Sequence, residues 1–136
     1  FQRAAAGGLG VTIHAGEGRS PQEILVAIDA LHAHRIGHGT TLLAEPAVLE
    51  RVLSAEVVIE ACLSSNHHVG AIATLEDHPL IQWMEAGVRV CLNTDNTLLS
   101  RTTAPGEHAL ALAHLGLDTV QSRRLVETGH AAAFSR

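Results

Sequence analysis

The sequence predicts an α/β fold: four consecutive βα units around a parallel sheet. Three observations carry that reading. Short apolar runs alternate four times with stretches whose apolar residues recur at helical spacing. The runs are continuous rather than half-polar, as in parallel strands covered by helices. Each also turns polar at its C-terminal end, where parallel α/β folds place their chemistry.

Element by element, Val11–His14 reads as the first strand. Ser20-Pro21-Gln22-Glu23 reads as a helix start, with Ser20 as N-cap, Pro21 in the first helical position and Glu23 closing a capping box. Ile24, Ala27, Ile28 and Leu31 then recur on one helical face. A second strand centres on Arg35–His38, and a helix follows from Pro46 to Ser54 with Val48, Leu49, Val52 and Leu53 as its apolar stripe. Val57–Leu63 is the expected third strand. Pro79–Ala86 is the expected third helix, stopped by Gly87, and Val88–Leu92 the fourth strand. Two helices, 105–115 and 118–129, end the chain, with Asp118 and Gln121 as a cap pair and Gly129 as a stop.

Two architectures accommodate four βα units: an open doubly wound sheet, or part of a (β/α)8 TIM-type barrel. A complete barrel needs about 250 residues, so 136 residues can supply only half of one. The chain begins with Phe1, which suggests a start partway through a longer protein.

Composition narrows the function. Hydrophobic residues make up 46% and charged residues 17%, as in a globular domain with a real core. The net charge is −5 and no basic block exceeds Arg123-Arg124, which argues against nucleic acid or an anionic membrane as partner. No apolar run approaches the roughly 18 residues of a membrane helix. Cys62 and Cys91 sit inside apolar runs and read as buried free thiols, which fits a cytoplasmic location.

The last two strands resemble each other: EACLSSN (60–66) sets Cys62, Ser64, Ser65 and Asn66 over Cys91, Asn93, Thr94 and Asp95 of RVCLNTD (89–95). Alternation then puts Asn66, Ser64, Cys62 and Glu60 on one face, and Asp95, Asn93 and Cys91 on one face. For Ser65, Asn66 and Thr94, turn and capping chemistry is an equally good reading. His14 and Glu17 follow the first strand, His38 the second and Asp95 the fourth. Singly, each has a bland explanation: a core histidine, a solvated acid, a turn cap. Together at strand C-termini, two imidazoles and a carboxylate suit a divalent ion such as zinc. Glu17 beside it could move protons. Spacing leaves His38 open as either a ligand or a base.

TIHAGE, RIGHG, SSN and LNTDN, in this order over about 80 residues, resemble the adenosine deaminase family of zinc hydrolases, and the likeness runs on to the GHAAAFSR end. The resemblance implies the second half of a (β/α)8 barrel, strands five to eight, as one domain over residues 1–136, and hydrolytic deamination of a purine nucleoside. It implies that His14 and Asp95 are zinc ligands, that His38 orients and deprotonates the attacking water, and that Glu17 protonates the purine ring. Asn96 would face N7 and Gly16 would contact the substrate, with Ser64 and Ser65 as supports. The family's His-x-His pair on the first barrel strand has no counterpart before His14. His32-Ala33-His34 has the spacing but reads as surface, and His67 and His68 as polar loop. The expected site is thus incomplete without another half, from a partner or from self-association, because a half-barrel is expected to expose sheet edges and an apolar inner face. Deamination of adenine or a modified adenosine, or a non-catalytic half-barrel, are the alternatives.

Overall fold

The computed structural model describes residues 1–134. A short helix α1 (Gln2–Ala6) precedes β1 (Thr12–Ala15), α2 (Gln22–Asp29), β2 (Arg35–His38), α3 (Pro46–Ser54), β3 (Val58–Ala61), α4 (Leu63–His68), α5 (Leu80–Glu85), β4 (Arg89–Leu92), α6 (Ala104–Leu115) and α7 (Thr119–Ala131). Single 3-10 turns lie at Leu42–Ala44 and Leu75–Asp77. Ser135 and Arg136, the end of the GHAAAFSR stretch, lie outside the described residues.

All strand pairs are parallel and the order is β1-β2-β3-β4. This order decides between the two architectures. A doubly wound sheet reverses its strand order at a switch point; here every crossover steps the same way, as in a segment of barrel. Register then assigns the faces. Ile13, Ile36, Ile59 and Val90 sit in one row across the sheet and pack in the apolar core with Ile24, Val48, Leu80 and Trp83. The row before it contains Thr12, Arg35, Val58 and Arg89, and the row after it His14, Gly37, Glu60 and Cys91. These point to the opposite, barrel-inner face.

That inner face is not the apolar surface expected from the sequence. Glu60 pairs with Arg35 at 3.0 Å and accepts from Thr12 Oγ1 at 2.9 Å. The Phe134 ring lies 3.8 Å from the Arg35 guanidinium. Helix α7 packs against β4, and it runs through Gly129 to Ala131 instead of stopping there. A Cβ at Gly129 would stand 3.4 Å from Cys91 Cβ, so this glycine lies inside the helix where α7 faces β4 and does not terminate it.

Several other expectations shift. Helix α2 starts one residue late, at Gln22, with Ser20 Oγ accepting from the Gln22 N–H at 3.3 Å. The capping box there is not formed: Glu23 turns to the Gly16 N–H and to Arg19. The third strand ends at Ala61, and the residues after Cys62 coil into α4. The proposed face alternation of Ser64 and Asn66 therefore does not apply, and His67 and His68 lie on a helix rather than in a loop. The Asp118–Gln121 capping box is present, and Gly87 takes the left-handed φ of 85° that ends α5.

Ile36 is fully buried at the centre of the core-facing row. Ile36→Ala is expected to cost about 3 kcal/mol, read as a lowered urea midpoint with unchanged slope; a shift under about 0.5 kcal/mol would contradict this packing role.

Candidate active site

The four sequence-selected groups His14, Glu17, His38 and Asp95 do converge, at the C-terminal ends of the strands. His14 lies on β1 and points to the inner face, where its ring covers Gly37 of β2. A Cβ at Gly37 would come within 2.6 Å of the His14 ring, so only glycine leaves room for that imidazole. Alternation along β2 would send His38 to the helix side with Ile36. His38 instead takes a left-handed backbone, φ 72°, and its Nε2 comes 3.2 Å from His14 Nδ1. The two rings meet edge-on with centroids 4.4 Å apart. Asp95 is also left-handed, φ 54°, and its Oδ2 accepts from Ser65 Oγ at 2.6 Å. Two strained backbones within one cluster mark a site whose geometry the surrounding fold must enforce.

Glu17 and His38 are joined through Asn66. The Asn66 amide nitrogen is 3.1 Å from Glu17 Oε1 and 3.0 Å from His38 Nδ1, and those two atoms are themselves 3.2 Å apart. The Asn66 side-chain oxygen meets His78 Nε2 at 3.3 Å. Asn66, His38 and His78 are all buried. Burial holds both imidazoles below the usual histidine range. For His38 the neighbouring His14 adds to the effect while Glu17 and Asp95 oppose it; His78 is pushed down to about 4.

Helix α4 carries Ser65 and Asn66, so its placement sets both contacts. Glu107 of α6 is fully buried, and its Oε2 accepts from the Ser64 N–H at 3.2 Å, tying down the first turn of α4. Neither Glu107 nor His78 was singled out from sequence. Glu107 looks like any first-turn acid of a helix, and His78 stands in DHPL beside a proline that signals only a turn.

The remaining candidates sit differently. Gly16 takes φ 66° in the turn before Glu17; its N–H donates to Glu23 at 3.2 Å and its carbonyl accepts from Thr40 and Thr41. Asn96 is exposed, and its Oδ1 accepts from the Leu98 and Leu99 N–H groups, so in this structure it caps its own turn. Ser64 touches Glu107 through its backbone. His32 and His34 are exposed, away from the cluster, as are His67 and His68. Cys62 and Cys91 are buried free thiols; burial pushes Cys91 up to about 11, and Cys62 is raised as well.

Ligand atoms of His14, His38 and Asp95 lie within 4.8 Å of one another. Two nitrogens on one tetrahedral zinc stand about 3.3 Å apart, given bonds of about 2.0–2.1 Å. The His14–His38 distance of 3.2 Å therefore fits a divalent ion, with His38 either a ligand or a neighbour of one. An inner-face cleft of about 270 Å³ lined by His14, Arg35, Gly37, Glu60 and Asp95 adjoins it.

The depressed histidines make stability depend on pH. Above about pH 6.5 both states keep these rings neutral; below it the unfolded chain binds protons that folded His78 and His38 refuse. Stability is thus expected to fall as pH drops from about 6.5 to about 4, by about 3 kcal/mol from His78 alone. Urea midpoints across that range measure it, and His78→Phe should flatten the profile.

The comparisons with known proteins now bear on a defined site. The family model described as adenosine deaminase matches residues 1–136. The adenosine deaminase of Pectobacterium atrosepticum is 36% identical over 134 residues, covering 98% of this chain and 40% of that protein. The adenine deaminase structure from Arthrobacter aurescens superposes with a TM-score of 0.93 at 29% identity, over 99% of this chain and 41% of that one. The N6-methyl-AMP deaminase of Arabidopsis thaliana gives a TM-score of 0.85 at 29% identity, over 99% and 39%. The chain thus spans about two fifths of the length of the relatives it matches. With its family motifs gathered at one end of a parallel sheet, this chain belongs to the adenosine deaminase family and corresponds to the C-terminal half of its barrel.

Proposed function

We propose that residues 1–136 are the C-terminal half of a zinc-dependent deaminase domain that converts adenosine or 2'-deoxyadenosine to inosine and ammonia. The observation that carries this reading is the convergence of His14, His38 and Asp95, with Glu17 held beside them by Asn66. His14 and Asp95 would hold the ion, and Ser65 fixes the Asp95 carboxylate for that task. Bound zinc would supply Lewis acidity and lower the pKa of a water molecule toward neutrality.

His38 stands where it can orient that water and take up its proton, its buried ring neutral at physiological pH. Glu17 delivers a proton to N1 of the purine as the C6 centre becomes tetrahedral, and ammonia leaves. Asn96, whose Oδ1 accepts from its own turn, would donate its amide N–H to N7, and Gly16 would offer its N–H to the ring once Glu23 releases it. Further zinc ligands come from a complementary barrel half, in a partner or in a second copy of the chain. The buried free thiols favour a reducing, cytoplasmic setting.

Adenine, or a modified adenosine or its nucleotide, is the second reading. It is favoured by the similarity to the adenine and N6-methyl-AMP deaminases. A non-catalytic half-barrel is the third.

Elemental analysis of the chain combined with the N-terminal half of a relative is expected to find about one zinc per assembled barrel, and Asp95→Ala to lose it. Combined with the N-terminal half of a relative, the chain is expected to consume adenosine, and Glu17→Gln to slow turnover by about 10²–10⁴-fold with zinc retained. Faster turnover of adenine or N6-methyl-AMP would favour the second reading. A zinc-loaded assembly that deaminates no aminopurine would leave the non-catalytic one.

A further inference from the structure

The orientation of the Asn66 amide is set from outside the site. Leu80 donates its backbone N–H to His78 Nδ1 at 3.2 Å. A backbone N–H cannot be reversed, so Nδ1 must carry a lone pair, and the neutral ring must carry its proton on Nε2. That N–H points at the Asn66 side chain, 3.3 Å away. The atom it meets must be the amide oxygen. The amide nitrogen then faces the other way and donates to Glu17 Oε1 at 3.1 Å, with His38 Nδ1 3.0 Å from it. Turning the amide over would oppose N–H to N–H at His78 and set the amide oxygen against the Glu17 carboxylate. Asn66 and His78 are 0% and 1% exposed, so bulk solvent does not relieve that mismatch.

His78 is itself held firmly. It precedes Pro79, which favours its extended backbone (φ −67°, ψ 127°). Its ring packs edge-on against Trp83 with centroids 5.2 Å apart. Burial keeps the ring neutral at physiological pH, which preserves the lone pair on Nδ1.

We propose that His78 is a positioning residue: through one fixed tautomer it dictates which way the Asn66 amide faces, and so that the amide nitrogen, not the oxygen, is turned to Glu17 and His38. His38 Nδ1 lies 3.2 Å from Glu17 Oε1, so the ring can donate there and leave Nε2, the side facing His14, as the acceptor. The catalytic consequence rests on the deaminase reading; the hydrogen-bond chain does not.

Long-range ¹H–¹⁵N spectra of the full chain test the first link. The expected result is His78 protonated on Nε2 with a bare Nδ1; protonation on Nδ1 would overturn the proposal. The second link is tested by hydrogen exchange of the Asn66 side-chain amide in two variants. His78→Phe keeps a ring against Trp83 but donates nothing, and exchange is expected to speed up about tenfold, the scale of one hydrogen bond. His78→Gln restores an N–H donor, and exchange is expected to stay near the unsubstituted rate. Unchanged exchange in folded His78→Phe would overturn the proposal, and if that variant does not fold, the tautomer in the unsubstituted chain still decides. None of these readouts involves zinc or turnover, so a failure of the deaminase reading is seen separately, as zinc-loaded chain without deamination.

Discussion

A buried carboxamide has two donors and one acceptor to satisfy, and at Asn66 bulk solvent does not reach. That constraint organises the site. Its nitrogen joins the turn after β1 to the end of β2, through Glu17 and His38, and its oxygen reaches back to the segment before α5. Three consecutive βα units are thereby fixed to one another within hydrogen-bond tolerance. The fourth is tied in by Ser65, one residue away, through Asp95. Helix α4 is only six residues long and has little stability of its own. Its position depends on the buried Glu107 carboxylate at its first turn, so the site is supported from α6 as well.

Much of this was legible in the sequence because strands and strand ends leave strong signals. Continuous apolar runs located all four strands within a few residues, and the polar switch at each C-terminal end located His14, His38 and Asp95. The strand order, which excludes a doubly wound sheet, is a tertiary fact that periodicity does not encode. Helix α4 was hidden because LSSNHH contains few strong helix formers and Ser, Asn and His favour caps and turns; tertiary bonds hold it helical. Glu23 had the spacing of a capping box, yet the Gly16 N–H and Arg19 compete for its carboxylate and win. His78 had no periodic signal at all, since its role depends on a residue twelve positions earlier.

The inner face shows how local chemistry corrects a general expectation. Half a barrel cut from a closed one should bare an apolar interior, but this one carries Thr12, Arg35 and Glu60 in a bonded cluster, with Phe134 against the guanidinium. A surface of that kind is less prone to indiscriminate hydrophobic association than an apolar one. It still presents oriented charges to whatever completes the barrel, so a complementary half must meet them with matching polarity. Completion by a specific polar match is therefore more consistent with this face than completion by collapse.

The proposed chemistry requires His14 and Asp95 to hold a metal at the mouth of the sheet, with the two thiols playing no part. X-ray absorption of the chain combined with the N-terminal half of a relative and loaded with one equivalent of zinc tests this most directly. The predicted spectrum has nitrogen and oxygen scatterers at about 2.0–2.1 Å with imidazole outer-shell features, and no sulfur near about 2.3 Å. Sulfur in the first shell, or failure to bind zinc stoichiometrically, would contradict it.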